Sequence, residues 1–217
     1  MIYDTGLIIL AYLLGSIPFG LLIPKLYGVE DIRKIGSGNI GATNALRACG
    51  VFGALLVTFF DIAKGVGPVL LAIYLGSSGL FSDLEYLKLI VGFAAIAGHI
   101  FPVFLAFKGG KGVNTALGVF LVLVPIATFL ALITFIITLL ISRYVSLGSI
   151  LAAFVFFTAI VVFRYMNLAE IHPIYLPTGA ILFMLIVLTH RSNIGRLMKG
   201  DENKFNPKAK KTKEVCQ

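Results

Sequence analysis

The sequence predicts an all-α, polytopic integral membrane protein with about seven transmembrane helices, its N-terminus outside and its C-terminus in the cytoplasm. The first observation is composition: of 217 residues, 59% are hydrophobic and 13% are charged, which gives more apolar surface than a soluble domain of this size can bury. The second is length, because the apolar residues occur in runs of about 17–25. Such a run lets a helix cross a hydrocarbon core of ~30 Å, whereas barrel strands are ~10 residues long and alternate.

The third observation is the placement of the basic residues. All but three of the 18 Lys and Arg residues lie in or beside four segments, namely 25–47, 108–111, Arg143 and the stretch that follows His190. The positive-inside rule places these segments on the cytoplasmic side of the membrane. The net charge of +8 does not indicate nucleic-acid binding, because the charges lie at span ends and in a tail with hardly any aromatic residues.

The first predicted span runs from Leu7 to Leu26. Asp4 precedes it and Lys25 closes it, which is the polarity of an N-outside span rather than of a cleaved signal peptide. The segment GSIPFG at 15–20 indicates close helix packing or a kink, which we favour over a substrate contact.

The longest predicted cytoplasmic loop, Tyr27 to Gly50, contains the segment IGSGNIGATNALR at 35–47, which we call the cradle. Its glycines and small polar residues exclude a stable strand or helix interior, so four polar side chains must hold it by hydrogen bonds: Ser37, Asn39, Thr43 and Asn44. Two interpretations stay open. The cradle is either a loop-to-helix junction with Thr43 or Asn44 as the N-cap, or a phosphate site to which Arg47 adds a bidentate ligand.

The second and third predicted spans, Val51 to Leu75 and Tyr86 to Phe107, each carry polar residues. Asp61 and Lys64 are three residues apart on one helix face, so they form either a structural ion pair or the border of a polar cavity. We expect His99 to be buried and hydrogen-bonded to a backbone carbonyl rather than to transfer protons. It precedes Phe101-Pro102, which predicts a broken helix end.

The segment KGGKG at 108–112 follows the third span directly. Its glycines free the backbone to turn N–H groups toward one point, and two ammonium groups flank them, so the pattern is typical of anion binding. Because it lies where an apolar span meets water, we expect a phosphate presented at the membrane surface, beside hydrocarbon. Lys108, Gly110 and Lys111 are the candidate ligands.

The apolar stretch from Val113 to Ile141 is interpreted as two spans that turn near Pro125, because a single span would place Arg143 and the basic tail outside. Ser146 and Ser149 follow, and they are either N-capping residues or further donors. Two more spans, 148–163 and 175–189, lead to HRSNIGRL at 190–197. We predict one transmembrane catalytic domain over 1–198 and a basic, disordered tail over 199–217.

Several familiar sites are absent from the sequence. A Walker-type phosphate loop is excluded because Leu105 replaces its first glycine and Gly112 follows Lys111. Three separated histidines, with neither a Cys-x-x-Cys nor a His-Glu-x-x-His pattern, predict no metal and no cofactor. The His-x4-Asp pair of soluble-facing glycerolipid acyltransferases does not occur either.

Three motifs identify a family. They are SGNIGATN at 37–44 with Arg47, GHIFPVFLAFKGGKGV at 98–113, and HRSNIGRL at 190–197. Together they resemble the bacterial acyl-phosphate:glycerol-3-phosphate acyltransferases (PlsY type), and the resemblance covers nearly the whole chain. Ile40 stands where many members have Pro and Asn114 where the family often has Ala, but neither change removes a charge or a donor.

The resemblance implies that a fatty acyl group passes from acyl phosphate to the 1-hydroxyl of glycerol 3-phosphate, giving lysophosphatidic acid and phosphate. It also implies seven spans in a bacterial inner membrane, with the active site on the cytoplasmic face. The expected partners are glycerol 3-phosphate, fatty acyl phosphate and membrane lipids, without nucleic acid.

The resemblance further assigns roles, and we expect the four polar clusters to meet in one pocket for two phosphate groups. The catalytic candidates are Ser37, His190 and Asn193. His190 or Ser37 deprotonates the hydroxyl, unless a substrate phosphate takes the proton, and Asn193 or glycine N–H groups stabilise the charge that develops on the carbonyl oxygen. The substrate-binding candidates are Arg47, Lys111, Lys108, Thr43, Asn44, Gly110, Ser146 and Ser149.

Two other functions remain as alternatives at this point. A phosphate or organophosphate transporter would also gather cations at one membrane face, but it favours inverted repeats and a site at the bilayer midplane. A non-catalytic lipid-binding scaffold would tolerate the loss of Lys111, because other basic residues could replace it.

Overall fold

The computed structural model describes residues 2–77, 79–81 and 83–206, which contain helices and no β-strands. This confirms the all-α class. In the described residues the α-helices are α1 (Ile2–Ser16), α2 (Phe19–Leu26), α3 (Ala42–Leu75), α4 (Leu84–Ile100), α5 (Val113–Leu123), α6 (Pro125–Ser142), α7 (Val145–Tyr165), α8 (Tyr175–Thr189) and α9 (Arg191–Lys199). Two 3₁₀ turns, Ile32–Lys34 and Val103–Leu105, lie between them.

Chain contacts divide the described residues into two compact units. The first contains residues 2–119 with Asn206, and the second is Phe120–Phe205. The single catalytic domain expected over 1–198 stays a prediction, and each unit is described by itself.

Five segments in the described part of the chain are long and apolar enough to cross a membrane: Ile2–Leu26, Ala42–Leu75, Leu84–Leu105, Pro125–Ser142 and Val145–Tyr165. A sixth results if α8 and α9, bent by 60°, form one span. The eleven residues of α5 rise by only about 16 Å, roughly half of a hydrocarbon core. The count of seven spans and the orientation of the termini therefore stay predictions.

The predicted kink in the first span is confirmed. α1 ends at Ser16 and α2 begins at Phe19, because Pro18 lacks an N–H group and cannot continue the helix. The Pro18 carbonyl accepts from the N–H groups of Leu21 and Leu22, at 2.8 and 3.0 Å. The helical hydrogen bonds of α2 therefore begin at the Pro18 carbonyl, and the carbonyl of Ile17 takes no part in them.

α1 packs against α4 through glycines on both helices. A Cβ atom at Gly15 would lie 2.1 Å from the carbonyl oxygen of Ala95, and one at Gly98 would lie 2.2 Å from that of Tyr12. Real Cβ atoms do not approach oxygen so closely, so the two backbones reach this separation only with glycine at both positions.

α3 begins earlier than the sequence predicts. The loop expected up to Gly50 is helical from Ala42, and the helix is interrupted at Gly50, where φ is 80°. Gly50 thus separates a short helix, which begins inside the cradle at Ala42, from the long apolar segment that starts at Val51, the predicted start of the second span.

Both predicted breaks in the later helices are confirmed. α4 ends at Ile100 with Phe101 as its C-cap, directly before Pro102. α5 ends at Leu123 and α6 begins at Pro125, and the hydroxyl of Thr128 lies 2.8 Å from the carbonyl oxygens of Phe120 and Val124. Both carbonyls also accept from main-chain N–H groups, those of Val124 and Thr128, so the hydroxyl adds one further donor at the break.

In the second unit, α7 packs against both α6 and α8. The chain turns from α6 into α7 at Arg143, which is in the left-handed conformation with φ of 61°. Residues 200–206 follow α9, and the N–H group of Phe205 donates to the carbonyl of Arg143 at 2.6 Å. The tail expected from Lys199 thus begins with residues that contact this unit, and the rest of it, 207–217, lies outside the described residues.

Candidate active site

The cradle is held by one side chain, that of Asn44, which is 1% exposed. Its Nδ2 atom lies 3.0, 2.9 and 2.9 Å from the carbonyl oxygens of Ile32, Ile35 and Asn39. Its Oδ1 atom accepts from the N–H group of Ser37 at 3.2 Å. One amide therefore supplies most of the hydrogen bonds that the sequence assigned to four polar side chains.

The N-cap interpretation of Thr43 and Asn44 is wrong. α3 is capped by Gly41 in an extended conformation, with no side-chain hydrogen bond to the cap. Thr43 is half-buried in the first turn of α3. Asn44 points back toward the cradle, where its amide adds a donor to the carbonyls of Ile32, Ile35 and Asn39.

Gly36 fits closely between Asn44 and Arg47. Its φ is +56°, and a Cβ atom there would lie 2.5 Å from Asn44 Oδ1 and 3.2 Å from Arg47 Cδ. Any other residue would be strained and would also displace the two side chains. Arg47 is half-buried beside this turn, whereas Ser37 is exposed.

A surface ion pair precedes the cradle. Arg33 donates to both carboxylate oxygens of Asp31, with Nη2 2.8 Å from Oδ2. The hydrogen bonds from Arg33 lower the pKa of Asp31 to about 2, so the pair stays ionised at neutral pH. The charge of Arg33 is thus largely balanced by its neighbour.

The Lys108–Gly112 loop folds back onto the end of α4. The N–H groups of Gly109 and Gly110 donate to the carbonyls of Ile100 and His99, at 3.1 and 3.0 Å. The expectation that these two N–H groups point at an anion is therefore wrong. Lys108 is exposed and Lys111 is half-buried at the start of the next helix.

Leu105, three residues before Lys108, packs into the hydrophobic cluster that lies beneath the cradle. That cluster includes Ile32, Ile40 and Ala45 from the cradle region. Within the first unit, the Val103–Leu105 turn, which precedes the Lys108–Gly112 loop, therefore packs on the same hydrophobic cluster as the cradle.

The polar residues inside the second and third spans contact one another. Lys64 Nζ lies 2.8 Å from Asp61 Oδ1, which confirms the ion pair. His99 is buried, and its Nδ1 atom lies 3.5 Å from the same carboxylate oxygen. The expected hydrogen bond from this ring nitrogen to a backbone carbonyl is absent among the described residues, and Asp61 is its charged neighbour at a distance longer than a normal hydrogen bond.

In the second unit, His190 lies at the junction of α8 and α9 and is 2% exposed. Its Nδ1 atom lies 2.8 Å from the carbonyl oxygen of Ile186. A carbonyl oxygen only accepts, so Nδ1 carries the proton of the neutral ring, and the lone pair is on Nε2. This tautomer is the one in which Nε2 can accept a proton.

Glu202 connects three members of the predicted clusters. Its Oε1 atom accepts from Ser146 Oγ at 2.9 Å and from Asn193 Nδ2 at 2.6 Å. Its Oε2 atom accepts from Arg196 Nε at 2.7 Å. Burial by itself raises the pKa of this carboxyl, but the hydrogen bonds from Asn193, Ser146 and Arg196 outweigh burial and lower its pKa below the usual 4.5.

Glu202 was not among the predicted site residues, because it was assigned to the tail. Two signals mark it: it is an acidic residue in a Lys-rich segment, and it follows Gly200. Gly200 ends α9 in the left-handed conformation with φ of 77°, and the N–H group of Asp201 donates to the carbonyl of Arg196 at 2.9 Å. This C-terminal cap turns the chain back so that Glu202 meets Arg196.

The N-cap interpretation of Ser146 and Ser149 is also wrong. α7 is capped by Tyr144 without a side-chain hydrogen bond. Ser146 donates to Glu202, whereas the hydroxyl of Ser149 donates to the carbonyl of Val145 in its own helix, at 3.0 Å.

The structure thus assembles two groups of candidate residues. The first unit holds Ser37, Asn44 and Arg47 in the cradle and Lys108 to Lys111 in the adjoining loop, and the second holds Ser146, Asn193 and Arg196 around Glu202, with His190 three residues before Asn193. The predicted meeting of all four clusters involves both units and stays a prediction.

Comparison with known proteins gives consistent matches. The family model described as glycerol-3-phosphate acyltransferase matches residues 5–200. A glycerol-3-phosphate acyltransferase of Trichlorobacter lovleyi is 49% identical over 195 residues, which is 90% of this chain and 94% of that protein. The glycerol-3-phosphate acyltransferase 2 of Bacillus anthracis is 40% identical over 198 residues, which is 91% of this chain and 97% of that protein.

Two crystal structures of PlsY (YgiH), an integral membrane glycerol 3-phosphate acyltransferase, have a similar fold. The glycerol 3-phosphate form matches with a TM-score of 0.81 and 41% identity, covering 94% of this chain and 96% of that one. The lysophosphatidic acid form matches with a TM-score of 0.80 and the same identity and coverage. None of these relatives is a transporter, so they give the transporter interpretation no support.

Proposed function

The chain belongs to the glycerol-3-phosphate acyltransferase family and is a membrane acyltransferase, and from this premise we propose that it transfers a fatty acyl group from an acyl phosphate to the 1-hydroxyl of glycerol 3-phosphate. The products are lysophosphatidic acid and inorganic phosphate. One observation carries the proposal: the match over 94% of the chain, at 41% identity, to PlsY in its glycerol 3-phosphate and lysophosphatidic acid forms. The acyl-phosphate donor follows from the resemblance of the three motifs.

We place the reaction at the cytoplasmic face of a bacterial inner membrane. The positive-inside distribution of Lys and Arg supports this placement. The acyl chain then stays in the hydrocarbon while the phosphate groups face the water from which glycerol 3-phosphate comes.

Both substrates carry a phosphate, and fixed cations are needed to hold them. Arg47 and Lys111 are half-buried, so their charges are screened less than those of surface residues and attract a phosphate more strongly. Lys108 adds a more exposed cation and Thr43 a hydroxyl donor. The hydroxyls of Ser146 and Ser149 donate to Glu202 and to the Val145 carbonyl, so they bind a substrate oxygen only by exchanging these partners for it. Asn44 and Gly110 act through the loops that they hold, because their hydrogen-bonding groups are engaged there.

The reaction forms one C–O bond and breaks another. The 1-hydroxyl oxygen attacks the acyl carbonyl carbon, negative charge develops on the carbonyl oxygen, and the phosphate leaves with the bonding electron pair. The amide of Asn193, oriented by Glu202, is the proposed donor to that oxygen. The hydroxyl proton passes to His190 Nε2 or to the departing phosphate, or to Ser37 if the Ser37 hydroxyl gives up its own proton to the phosphate at the same time. Phosphate is itself a competent leaving group.

The test is turnover by the purified protein in detergent or nanodiscs, with palmitoyl phosphate and glycerol 3-phosphate as substrates. Phosphate release and lysophosphatidate are both followed, and palmitoyl-CoA in place of palmitoyl phosphate tests the donor. We expect Arg47→Ala and Lys111→Ala to lower kcat/KM by about 100-fold each, because each removes a charged ligand of a phosphate.

The matched control is Lys34→Ala. Lys34 is a cation of the same predicted cytoplasmic loop, but its ammonium group is exposed beside Glu30, 3.5 Å away, so kcat/KM should stay within about twofold. Absence of turnover with wild-type protein, or undiminished turnover by Arg47→Ala and Lys111→Ala, contradicts the proposal. Faster turnover with the thioester would contradict the acyl-phosphate donor alone.

A further inference from the structure

Three polar side chains inside the spans of the first unit take no part in the proposed chemistry. Asp61 and Lys64 lie on α3 and His99 lies on α4, and they are 1%, 7% and 6% exposed. Ionisable groups within a membrane span are costly, so they persist where they are paired and where the protein needs them. The question is what this group holds in place.

One end of the group is the break between α1 and α2. Lys64 Nζ donates to the carbonyl oxygen of Ile17 at 2.9 Å and lies 5.7 Å from the centroid of the Phe19 ring. The Ile17 carbonyl lies outside the helical ladder because Pro18 interrupts it, and its one main-chain donor among the described residues is the N–H group of Phe19, at 3.1 Å. Lys64 therefore adds a second, charged donor to a carbonyl at the break, where lipid offers none.

The centre of the group is Asp61. Its Oδ1 atom lies 2.8 Å from Lys64 Nζ and 3.5 Å from His99 Nδ1. The carboxylate balances the charge of Lys64, whereas its 3.5 Å contact with His99 Nδ1 is longer than a normal hydrogen bond, and Nδ1 has no hydrogen-bond partner among the described residues. Asp61 thus holds the ammonium group by an ion pair and lies against the Nδ1 side of the imidazole ring, whose Nε2 side faces Gly110.

The other end of the group, His99, contacts the Lys108–Gly112 loop. A Cβ atom at Gly110 would lie 2.2 Å from His99 Nε2, so the ring stands directly against the Gly110 backbone. The carbonyl of the same histidine accepts from the N–H group of Gly110 at 3.0 Å. The next residue in the chain is Lys111.

We propose that Asp61, Lys64 and His99 are positioning residues that fix the Gly109–Gly112 loop, and through it Lys111, for the acyl-transfer reaction. The part of the proposal that concerns catalysis rests on the proposed function. The part that concerns the loop stands on contacts within the first unit, which run from the Ile17 carbonyl through the three side chains to Gly110. None of the three is proposed to contact a substrate.

The competing explanation is that the ion pair only joins α3 to α1. The chain offers a comparison for it, because Glu85 and Lys88 on α4 form an ion pair with the same spacing of three residues. That pair lies at the opposite end of α4 from His99. If both ion pairs served only helix packing, removing one charge from either pair should have the same effect on amide exchange in the Lys108–Gly112 loop.

The first measurement is amide hydrogen exchange of the full chain in nanodiscs, read by mass spectrometry on peptides that cover 100–112. In Asp61→Asn the ring of His99 loses its charged neighbour, and we expect exchange at Gly109 and Gly110 to accelerate by about tenfold or more relative to wild type. Glu85→Gln should leave exchange in this loop unchanged. This readout needs no substrate, so it decides the inference even if the proposed reaction is not observed.

The second measurement is a double-mutant cycle on kcat/KM with Asp61→Asn and Lys111→Ala. If Asp61 acts by placing Lys111, its substitution should lower kcat/KM by about tenfold in the wild-type background and by less than twofold once Lys111 is removed. Equal losses in both backgrounds indicate a general structural effect and overturn the positioning role, as does unchanged loop exchange in Asp61→Asn.

A third variant guards against misfolding. Asp61→Asn/Lys64→Met removes both charges together and leaves no unpaired ammonium group in the span, so it should fold even if Asp61→Asn does not. Accelerated exchange at Gly109 and Gly110 with wild-type exchange in the rest of α3 and α4 supports the proposal. Exchange that rises throughout both helices, or failure of this variant to fold, shows a role in the whole fold and overturns it.

Discussion

The cradle and the cluster around Glu202 organise candidate site residues in contrasting ways. In the cradle a neutral amide, Asn44, holds backbone carbonyl oxygens and the N–H group of Ser37. Around Glu202 a carboxylate holds side chains, among them Asn193 and Arg196. The first arrangement fixes the path of the main chain, whereas the second fixes the orientation of side chains on helices whose path is already set.

The difference shows which hydrogen-bonding groups set the shape of each region. A loop rich in glycine has no ladder of its own, so its shape depends on the donors that reach its carbonyls, and a neutral donor serves at any pH. Side chains on a helix need only orientation, and a charged acceptor gives stronger hydrogen bonds but responds to protonation. Three predictions test this contrast, from the largest expected effect to the smallest.

Asn44→Ala should have the largest effect on stability. It removes the hydrogen-bond partner of the Asn39 carbonyl and of the Ser37 N–H group, and it takes the side-chain donor away from the carbonyls of Ile32 and Ile35, which keep one main-chain donor each. We expect this to lower the free energy of unfolding by about 3–5 kcal/mol. Asn44→Asp keeps the size but loses the donors and should be at least as harmful. Thermal unfolding in detergent measures both.

The matched control for Asn44 is Asn39→Ala, because Asn39 contributes its main-chain carbonyl to the cradle and that carbonyl remains in the variant. Its effect should stay below about 1 kcal/mol. If Asn44→Asp proved as stable as wild type, the donors would not be what holds the cradle, and the contrast between the two regions would be lost.

Glu202→Gln should have an intermediate effect. The amide keeps the shape and one acceptor oxygen but leaves the guanidinium of Arg196 without its carboxylate, and we expect a loss of about 1.5–3 kcal/mol. We also expect kcat to fall, because Asn193 is no longer held in one orientation. Asp201→Asn is the control, since its side chain is exposed and its N–H group, which bonds to Arg196, is unchanged.

The pH dependence should give the smallest effect and the sharpest contrast. The pKa of Glu202 is lower in the folded protein than its usual 4.5, so its ionised form stabilises the fold above that pH and the stabilisation is lost as pH falls through the lower folded value. The stability gap between wild type and Glu202→Gln should be constant from pH 7 to about 5.5 and narrow below about 4.5. The gap between wild type and Asn44→Ala should not change over this range, because an amide does not titrate. If both stability gaps narrowed equally at low pH, the assignment of the acid-dependent stability to Glu202 would be contradicted.

Much of the fold follows from the sequence because its causes are local. The apolar runs give the helices, and the breaks at Pro18, Pro102 and Pro125 lie where a missing N–H group or the restriction before proline must end a ladder. The motifs gave the family because each is long and they occur in order. Local patterns failed at the start of α3, since the residues after Gly41 become helical once Asn44 serves the loop behind them.

The candidate site was predicted as a set of residue types and not as a set of contacts. The sequence named Asn44, Ser146 and Asn193, yet it assigned none of them their observed partners. It also placed Glu202 in a tail, because two adjacent acidic residues, Asp201 and Glu202, in a Lys-rich segment carry no periodic signal.

By itself the sequence determined that this chain is a helical membrane protein, where its helices break, and which acyltransferase family it belongs to, since hydropathy, proline and motif order act along the chain. Only the tertiary structure decided that Asn44 holds the cradle, that Glu202 gathers Ser146, Asn193 and Arg196, and that His99 links Asp61 to Gly110. The physical reason is that a hydrogen bond requires two atoms within about 3 Å, and residues 5 to 56 positions apart reach that distance only when helices and loops have packed.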